Sequence, residues 1–320
     1  MEGWEGFVRS VVDRREAHVT VSGLTANLTQ AVRRSLAGRY LTVEVSPLSY
    51  LEFLRSKNVN VFTELDLVAR EAEIKALFDE YLRFGGFPLV ALNPGNRERI
   101  LAQLYDDIAH RDAILECGVR NVSEFSDLAL FYVSNVGNRV GFRHLSRSMV
   151  IPLRNLQRYT ECLRNAYLVF FVKAISPRLS EMVKAQRKVY CVDNGISNVV
   201  EHRLNENLRS LLKNLVFVEL MRRHGLGNLF YYRDRREVDF VVKDRNEIRE
   251  ILQVTYSLGD ERETEGIMEL LRIRRVRASV ITYDGGGAES EGDEGLEVVV
   301  GDGPYPTLGS VTVHYRRRFR

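Results

Sequence analysis

The sequence predicts a multidomain protein built from α/β and α pieces, and three observations lead there. Two β-branched segments flank an amphipathic helical pattern near the N-terminus. Three helical patterns followed by two apolar strands occupy about 120–193. Beyond them runs the order helix, strand, strand, strand, helix, strand, which makes a compact mixed unit. With 320 residues, 45% hydrophobic and 28% charged, the chain has room for about two domains of ordinary globular composition. Wholesale disorder, collagen-like repeats and a cysteine-stapled scaffold are excluded.

Along the chain, AHVTVS (17–22) reads as a short strand with apolar Val19 and Val21. After Gly23 a helix follows, with Leu24, Leu28, Val32 and Leu36 on one face and Gly38 at its end. YLTVEV (40–45) reads as a second strand, ended by Pro47. Two strands and one helix cannot cover both faces of a doubly wound sheet, so this is a fragment of an α/β domain. Residues 64–82 are helical in pattern, FGGFP (84–88) breaks the pattern, and another helical run covers about 97–115. Asn121 or Ser123 caps the next helix, over about 123–134, where Glu124 suits the first turn.

Helices at about 142–149 and 154–165 and strands in YLVFFVKAIS and VYCVDN complete a segment with the order of a winged helix-turn-helix. Its third helix stands in the recognition position and presents Arg154, Gln157 and Arg158. The final unit opens with a helix over about 206–224. Strands follow in LFYYR, EVDFVVK, EIREILQVTYS and RASVITY, with a helix at about 260–274 before the last of these. LEVVV reads as an edge strand, and VTVHYRR is strand-like.

Cys117, Cys162 and Cys191 are widely spaced, so neither a disulfide framework nor a thiolate zinc site is expected, and a reducing compartment is the default. No apolar run reaches about 18 residues and the N-terminus lacks a signal peptide's apolar core, so a cytoplasmic protein without a membrane partner is expected. The net charge of +3 is unevenly spread. From Arg143 to Lys188 there are ten basic residues against Glu161 and Glu181, whereas residues 284–295 carry five acidic residues and no basic one. The basic run fits an electrostatic footprint for nucleic acid involving Arg143, Arg147, Arg154, Gln157 and Arg158; the plain alternative is a solvated arginine-rich surface.

Glu219 on a helix, Asp239 inside an apolar strand and Gln253 on the next strand form the sharpest constellation. Oxygen ligands from neighbouring elements are what Mg²⁺ requires to activate water beside a phosphate. The plain alternatives are Asp239 bound to Arg233, Arg235 or Arg236, and Glu219 paired along its helix with Arg222 or Arg223. No G-x-x-x-x-G-K-[ST] occurs, and Gly85-Gly86 and Gly285 to Gly287 lack the Lys and Ser or Thr that cradle phosphate. The six histidines lack H-E-x-x-H spacing, and no G-x-S-x-G supports a serine nucleophile.

Several stretches then resemble one family in order and spacing: VTVSGLTANLTQAVRRSLAGRYLTVEVSPLSYLEFL, LFDEYLRFGGFPLVAL, YDDIAHRDAI, NVGNRVGFRHLS, RYTECLRNAYLVFFV, VYCVDNGI, LLKNLVFVELMRR, and REVDFVVKDR with ILQVTYS. Over about 17–283 the chain resembles archaeal and bacterial AAA+-like ATPases that end in a PD-(D/E)xK nuclease-like domain. The resemblance implies a truncated member whose Walker A and Walker B regions lie upstream of the matched part. It implies a partial ATPase core remnant (1–60) with Ser22 at the sensor 1 position and Arg39 as a nucleotide-responsive or subunit-facing arginine. A helical lid or linker (61–120), a winged helix (121–193) and the nuclease-like domain (194–320) would follow.

In that last domain the resemblance puts Glu219 and Asp239 on the acidic positions and Gln253, Val254 and Thr255 on the (E/Q)xK positions, so that Thr255 replaces the catalytic lysine. Lys243 is a candidate spatial substitute. The expected protein is therefore a degenerate ATPase derivative that binds DNA or a protein partner without hydrolysing ATP by itself. The alternatives are a Mg²⁺-dependent nuclease through Glu219, Asp239 and Gln253, and an accessory subunit of a partner ATPase. Mg²⁺ belongs only to the nuclease alternative and ATP only to a protein completed by the missing half; homo-oligomers fit the ancestry.

Overall fold

The computed structural model describes residues 4–23, 32, 35–61, 66, 69–176, 178–200, 208–234, 236–245, 247–255, 266–267, 276–283, 296–300 and 309–315. Helices come first: α1 (Trp4–Asp13), α2 (Tyr50–Ser56), α3 (Glu71–Phe84), α4 (Pro88–Leu92) and α5 (Arg97–Asp106). A π-helical stretch (Asp107–Asp112) leads into α6 (Ala113–Cys117), so the expected helix at 97–115 is present with a wider turn inside it. The segment expected to be a winged helix then supplies α7 (Val122–Ser134), β1 (Arg139–Val140), α8 (Phe142–Ser148), α9 (Leu153–Asn165), β2 (Val169–Ala174), α10 (Leu179–Lys184) and β3 (Arg187–Cys191). The rest is α11 (Asn194–Val200), α12 (Leu208–His224), β4 (Leu229–Arg233), β5 (Glu237–Asp244), β6 (Glu247–Thr255), β7 (Arg277–Thr282), β8 (Leu296–Val300) and β9 (Gly309–Tyr315).

Local chemistry accounts for the elements of that segment. Asn121 Oδ1 accepts the Glu124 N–H at 3.2 Å and caps α7. Phe125, Leu128, Ala129, Tyr132 and Val133 then recur at helical spacing, and all are buried. The α9 helix buries Leu156, Tyr159, Thr160, Cys162 and Leu163, and the Tyr132 and Thr160 hydroxyls meet at 2.7 Å between the two helices. Arg154, Gln157 and Arg158 therefore point outward.

The nine strands form one sheet in the order β1-β3-β2-β4-β5-β6-β7-β9-β8. The β2–β3 pair, the wing of the expected winged helix, is antiparallel, and β2 continues into the next unit by parallel pairing with β4 at Lys173↔Phe230 and Ala174↔Tyr231. A boundary at 193/194 thus falls in a turn, while the sheet itself runs across it. One core packs the sheet against α2, α3 and α12 through residues such as Phe53, Phe78, Phe217, Phe240 and Leu252. A second lies among α5, α7, α9 and the wing, around Leu101, Phe125, Tyr132, Leu156 and Val189.

Two expectations are corrected. AHVTVS and YLTVEV form no strand: residues 16–23 and 40–46 are irregular. Leu41, Val43 and Val45 are 96%, 81% and 91% exposed. A β-branched segment becomes a strand only when a neighbour satisfies its backbone groups, and no described strand lies beside either one. The helix expected between them lies mostly outside the described residues, as does the one at 260–274.

Cysteines are the second correction. Cys117 and Cys162 form a disulfide across 45 residues, with Cα atoms 6.1 Å apart, because α6 packs on α9; Cys191 is free and buried. The short helices α10 and α11 have six and seven residues, too few for a helical period to stand out in the sequence.

Candidate functional site

The residues expected to form a nuclease centre lie in different surroundings. Asp239, on β5, is fully buried. Its Oδ1 accepts hydrogen bonds from Lys188 Nζ of β3 and Lys213 Nζ of α12, both at 2.7 Å. Its Oδ2 accepts the Val254 N–H at 3.1 Å, and its own N–H donates to Gln253 Oε1 at 3.1 Å. Lys188 also meets Glu237 Oε1 at 2.8 Å, and Arg139 meets Glu237 Oε2 at 3.2 Å. Burial disfavours the Asp239 charge, but the two ammonium groups more than offset that and hold its carboxyl well below the usual carboxylate range. Burial likewise opposes the Lys188 charge, while Asp239, Tyr190 and Glu237 raise its pKa above the ordinary lysine value.

The expectation that Asp239 pairs with Arg233, Arg235 or Arg236 is corrected by these contacts: the partners are lysines 51 and 26 residues away in sequence. Glu219 bonds to Arg223 at 2.6 Å and lies 3.9 Å from Arg222, which reaches on to Glu52 and to the Pro47 carbonyl. It belongs to a helix-surface network rather than to the Asp239 cluster. Gln253 and Thr255 are buried, and Lys243 stacks on the Phe230 ring at 5.6 Å. Among the described residues no group of three or more His, Cys, Asp or Glu could hold a metal ion. Ammonium groups occupy the acceptor that a divalent ion would use.

Sequence reasoning missed Lys188 and Lys213. The available signal was that each sits within an apolar stretch, RKVYC and LLKNLV, where a charge needs a buried opposite charge.

Gly85 and Gly86 cradle an anion that the protein itself supplies. Gly86 N–H and Gly195 N–H donate to the Asp193 carboxylate at 2.7 and 2.8 Å. A Cβ on Gly85, which has φ 73°, would collide with that carboxylate. Burial pushes the Asp193 carboxyl up to about 6 even though the Gly86, Gly195 and Ile196 backbone bonds pull it down.

The α8–α9 face differs in kind. Arg143 and Arg147 on α8 and Arg154, Gln157 and Arg158 on α9 are all exposed. None of the four arginines has an ion-pair partner among the described residues. By contrast, Arg164 and Arg178 in the same basic run pair with Glu161 at 2.6 Å and Glu181 at 3.1 Å. Near the N-terminus Ser22 lies in the irregular exposed segment, and Arg39 binds Asp13 at 2.5 Å.

A family model described as a domain of unknown function (DUF8612) matches residues 75–207, from α3 through α11. An uncharacterized protein of Haemophilus influenzae is 29% identical over 281 residues, covering 84% of this chain and 67% of its own length. An uncharacterized protein of Methanocaldococcus jannaschii is 29% identical over 319 residues, covering 94% and 69%. No solved structure matches the chain. Among the described residues no helix is long and apolar enough to cross a membrane.

Proposed function

We propose that the protein is a duplex-DNA-binding derivative of the AAA+-like, nuclease-tailed ATPases, with α8 and α9 as the binding face and a nuclease-like domain that does not cut. The four arginines without ion-pair partners carry this reading. An exposed guanidinium with no carboxylate beside it gains little inside the fold and is available to a phosphate. Arg154, Gln157 and Arg158 lie at i, i+3 and i+4 on one side of α9, the spacing a recognition helix uses in a major groove. That Asp239 is saturated by Lys188 and Lys213 argues against Mg²⁺-assisted hydrolysis, as does the neutral side chain at Thr255. With no G-x-x-x-x-G-K-[ST] in the sequence, these residues hydrolyse no ATP by themselves.

A second role, as accessory subunit to a partner ATPase, is favoured by one observation. Leu41, Val43 and Val45 are exposed on an irregular segment that pairs with no described strand, and their alternation in sequence with Thr42 and Glu44 is the pattern of a strand awaiting a sheet.

The test is fluorescence anisotropy on single-stranded, duplex and branched DNA across a salt series, with and without Mg²⁺ or Mn²⁺. We expect salt-dependent retention of duplex without cleavage, and a salt slope reduced by about one in each of Arg154→Ala and Arg158→Ala. Cleavage that disappears in Asp239→Ala would overturn the inactive-nuclease reading. Absence of binding at low salt would leave the accessory-subunit role.

A further inference from the structure

We propose that Val150 reads a base in the bound duplex, its side chain seated on a thymine methyl in the major groove. The inference rests on the duplex-DNA reading above and adds to it a residue that discriminates sequence.

Five non-glycine residues in the described chain have positive φ: Arg15, Asn58, Val150, Tyr167 and Arg245. Val150, at φ 55°, is the β-branched one, and for such a side chain the left-handed region is a genuine outlier. The backbone has a local cause. Ile151 N–H donates to the Ser146 carbonyl at 3.1 Å and Val150 N–H to the Arg147 carbonyl at 3.4 Å, which closes α8 with a left-handed residue where glycine is usual.

The side chain has no such cause. Tyr167 does the same task after α9, and its ring packs against Phe170 with centroids 6.4 Å apart. Val150 is 84% exposed and adds nothing to a core. Glycine there would close the helix without the strain, so the strain is repaid outside the fold.

Its neighbours say where. Val150 lies in the turn from α8 into α9, between exposed Arg147 and exposed Arg154, neither with an ion-pair partner among the described residues. Cations flanking an apolar tip complement phosphates flanking an apolar group, and the thymine C5-methyl is the apolar group that the major groove offers.

The experiment compares a duplex of alternating dA and dT with the same duplex carrying deoxyuridine, which lacks the methyl. Wild-type protein should bind the deoxyuridine duplex about fourfold more weakly, as burial of one methyl implies. Val150→Gly and Val150→Asn should bind both duplexes alike, at the wild-type deoxyuridine level and with an unchanged salt slope. Both variants should melt no lower than wild type, since Gly and Asn accept the left-handed conformation, so weaker binding is not unfolding. Equal wild-type affinity for the two duplexes, discrimination that survives in Val150→Gly, or a variant that melts lower would each overturn the proposal. If neither duplex is bound at low salt the DNA reading itself has failed, and Arg154→Ala will then also be without effect.

Discussion

The Asp239 cluster and the α8–α9 face are both rich in charge, and they use it in opposite ways. Around Asp239 three cations, Arg139, Lys188 and Lys213, meet two carboxylates at 2.7–3.2 Å, with Lys188 and Asp239 fully buried. On α8 and α9, Arg143, Arg147, Arg154 and Arg158 are exposed and have no ion-pair partner among the described residues, although Arg158 also lies over the Tyr159 ring at 5.4 Å. Charge that is buried must be matched within the fold and thereby becomes structural. Charge left exposed and unmatched is free to meet a ligand. The region that resembles an enzyme centre is the one committed to holding the sheet together, because Lys188 comes from the wing and Asp239 from β5.

The hardest way to break the comparison is to remove the carboxylate. Asp239→Ala strands two ammonium groups, one wholly buried, and should destabilise the protein by about 3–5 kcal/mol in urea unfolding. A cost near zero would mean that the cluster is solvated and available for chemistry. On the other side, cohesion is apolar and covalent. Reducing the Cys117–Cys162 bond, or substituting Cys162→Ser, should cost about 2–4 kcal/mol without altering the salt dependence of the proposed DNA binding.

Stability against pH separates Asp193 from Asp239. Asp193 has a folded pKa of about 6 against an ordinary 3.8, so its contribution is complete below about 4 and is lost as pH rises through 6. The loss is on the order of 2–3 kcal/mol. Asp239 has the opposite sign: its contribution is complete above the ordinary carboxylate range and is lost on acidification below it. Urea midpoints from pH 3 to 8 (a range of about five units) should lose the rise-through-6 component in Asp193→Asn and the acid component in Asp239→Asn. The smallest effect belongs to the face. Arg143→Ala with Arg147→Ala should shift stability by no more than about 0.5 kcal/mol, and a larger loss would show that these side chains do pack.

Much of the 121–193 segment was legible because its signals are local. Asn121 and Glu124 mark the start of α7, and the apolar period of α9 leaves Arg154, Gln157 and Arg158 on the outer side. The strands around Asp239 were equally readable from their β-branched runs. The N-terminal pair misled for the opposite reason: AHVTVS and YLTVEV have strand composition, but pairing depends on a neighbour that composition does not supply.

The sequence by itself determined where helices and strands form in most of the chain, that Asp239 in an apolar strand needs a counter-charge, and that no phosphate-binding glycine loop with its lysine is present in these residues. Only the tertiary structure decided which counter-charge Asp239 has, that the wing and the last unit share a sheet, and that the Gly85-Gly86 turn holds the Asp193 carboxylate. Period, capping and composition act over a few residues and can be read in order. Ion pairs spanning 26 and 51 residues, and a hydrogen bond spanning 107 between Gly86 and Asp193, exist only once the packing of α12, the wing and the sheet has brought the partners together.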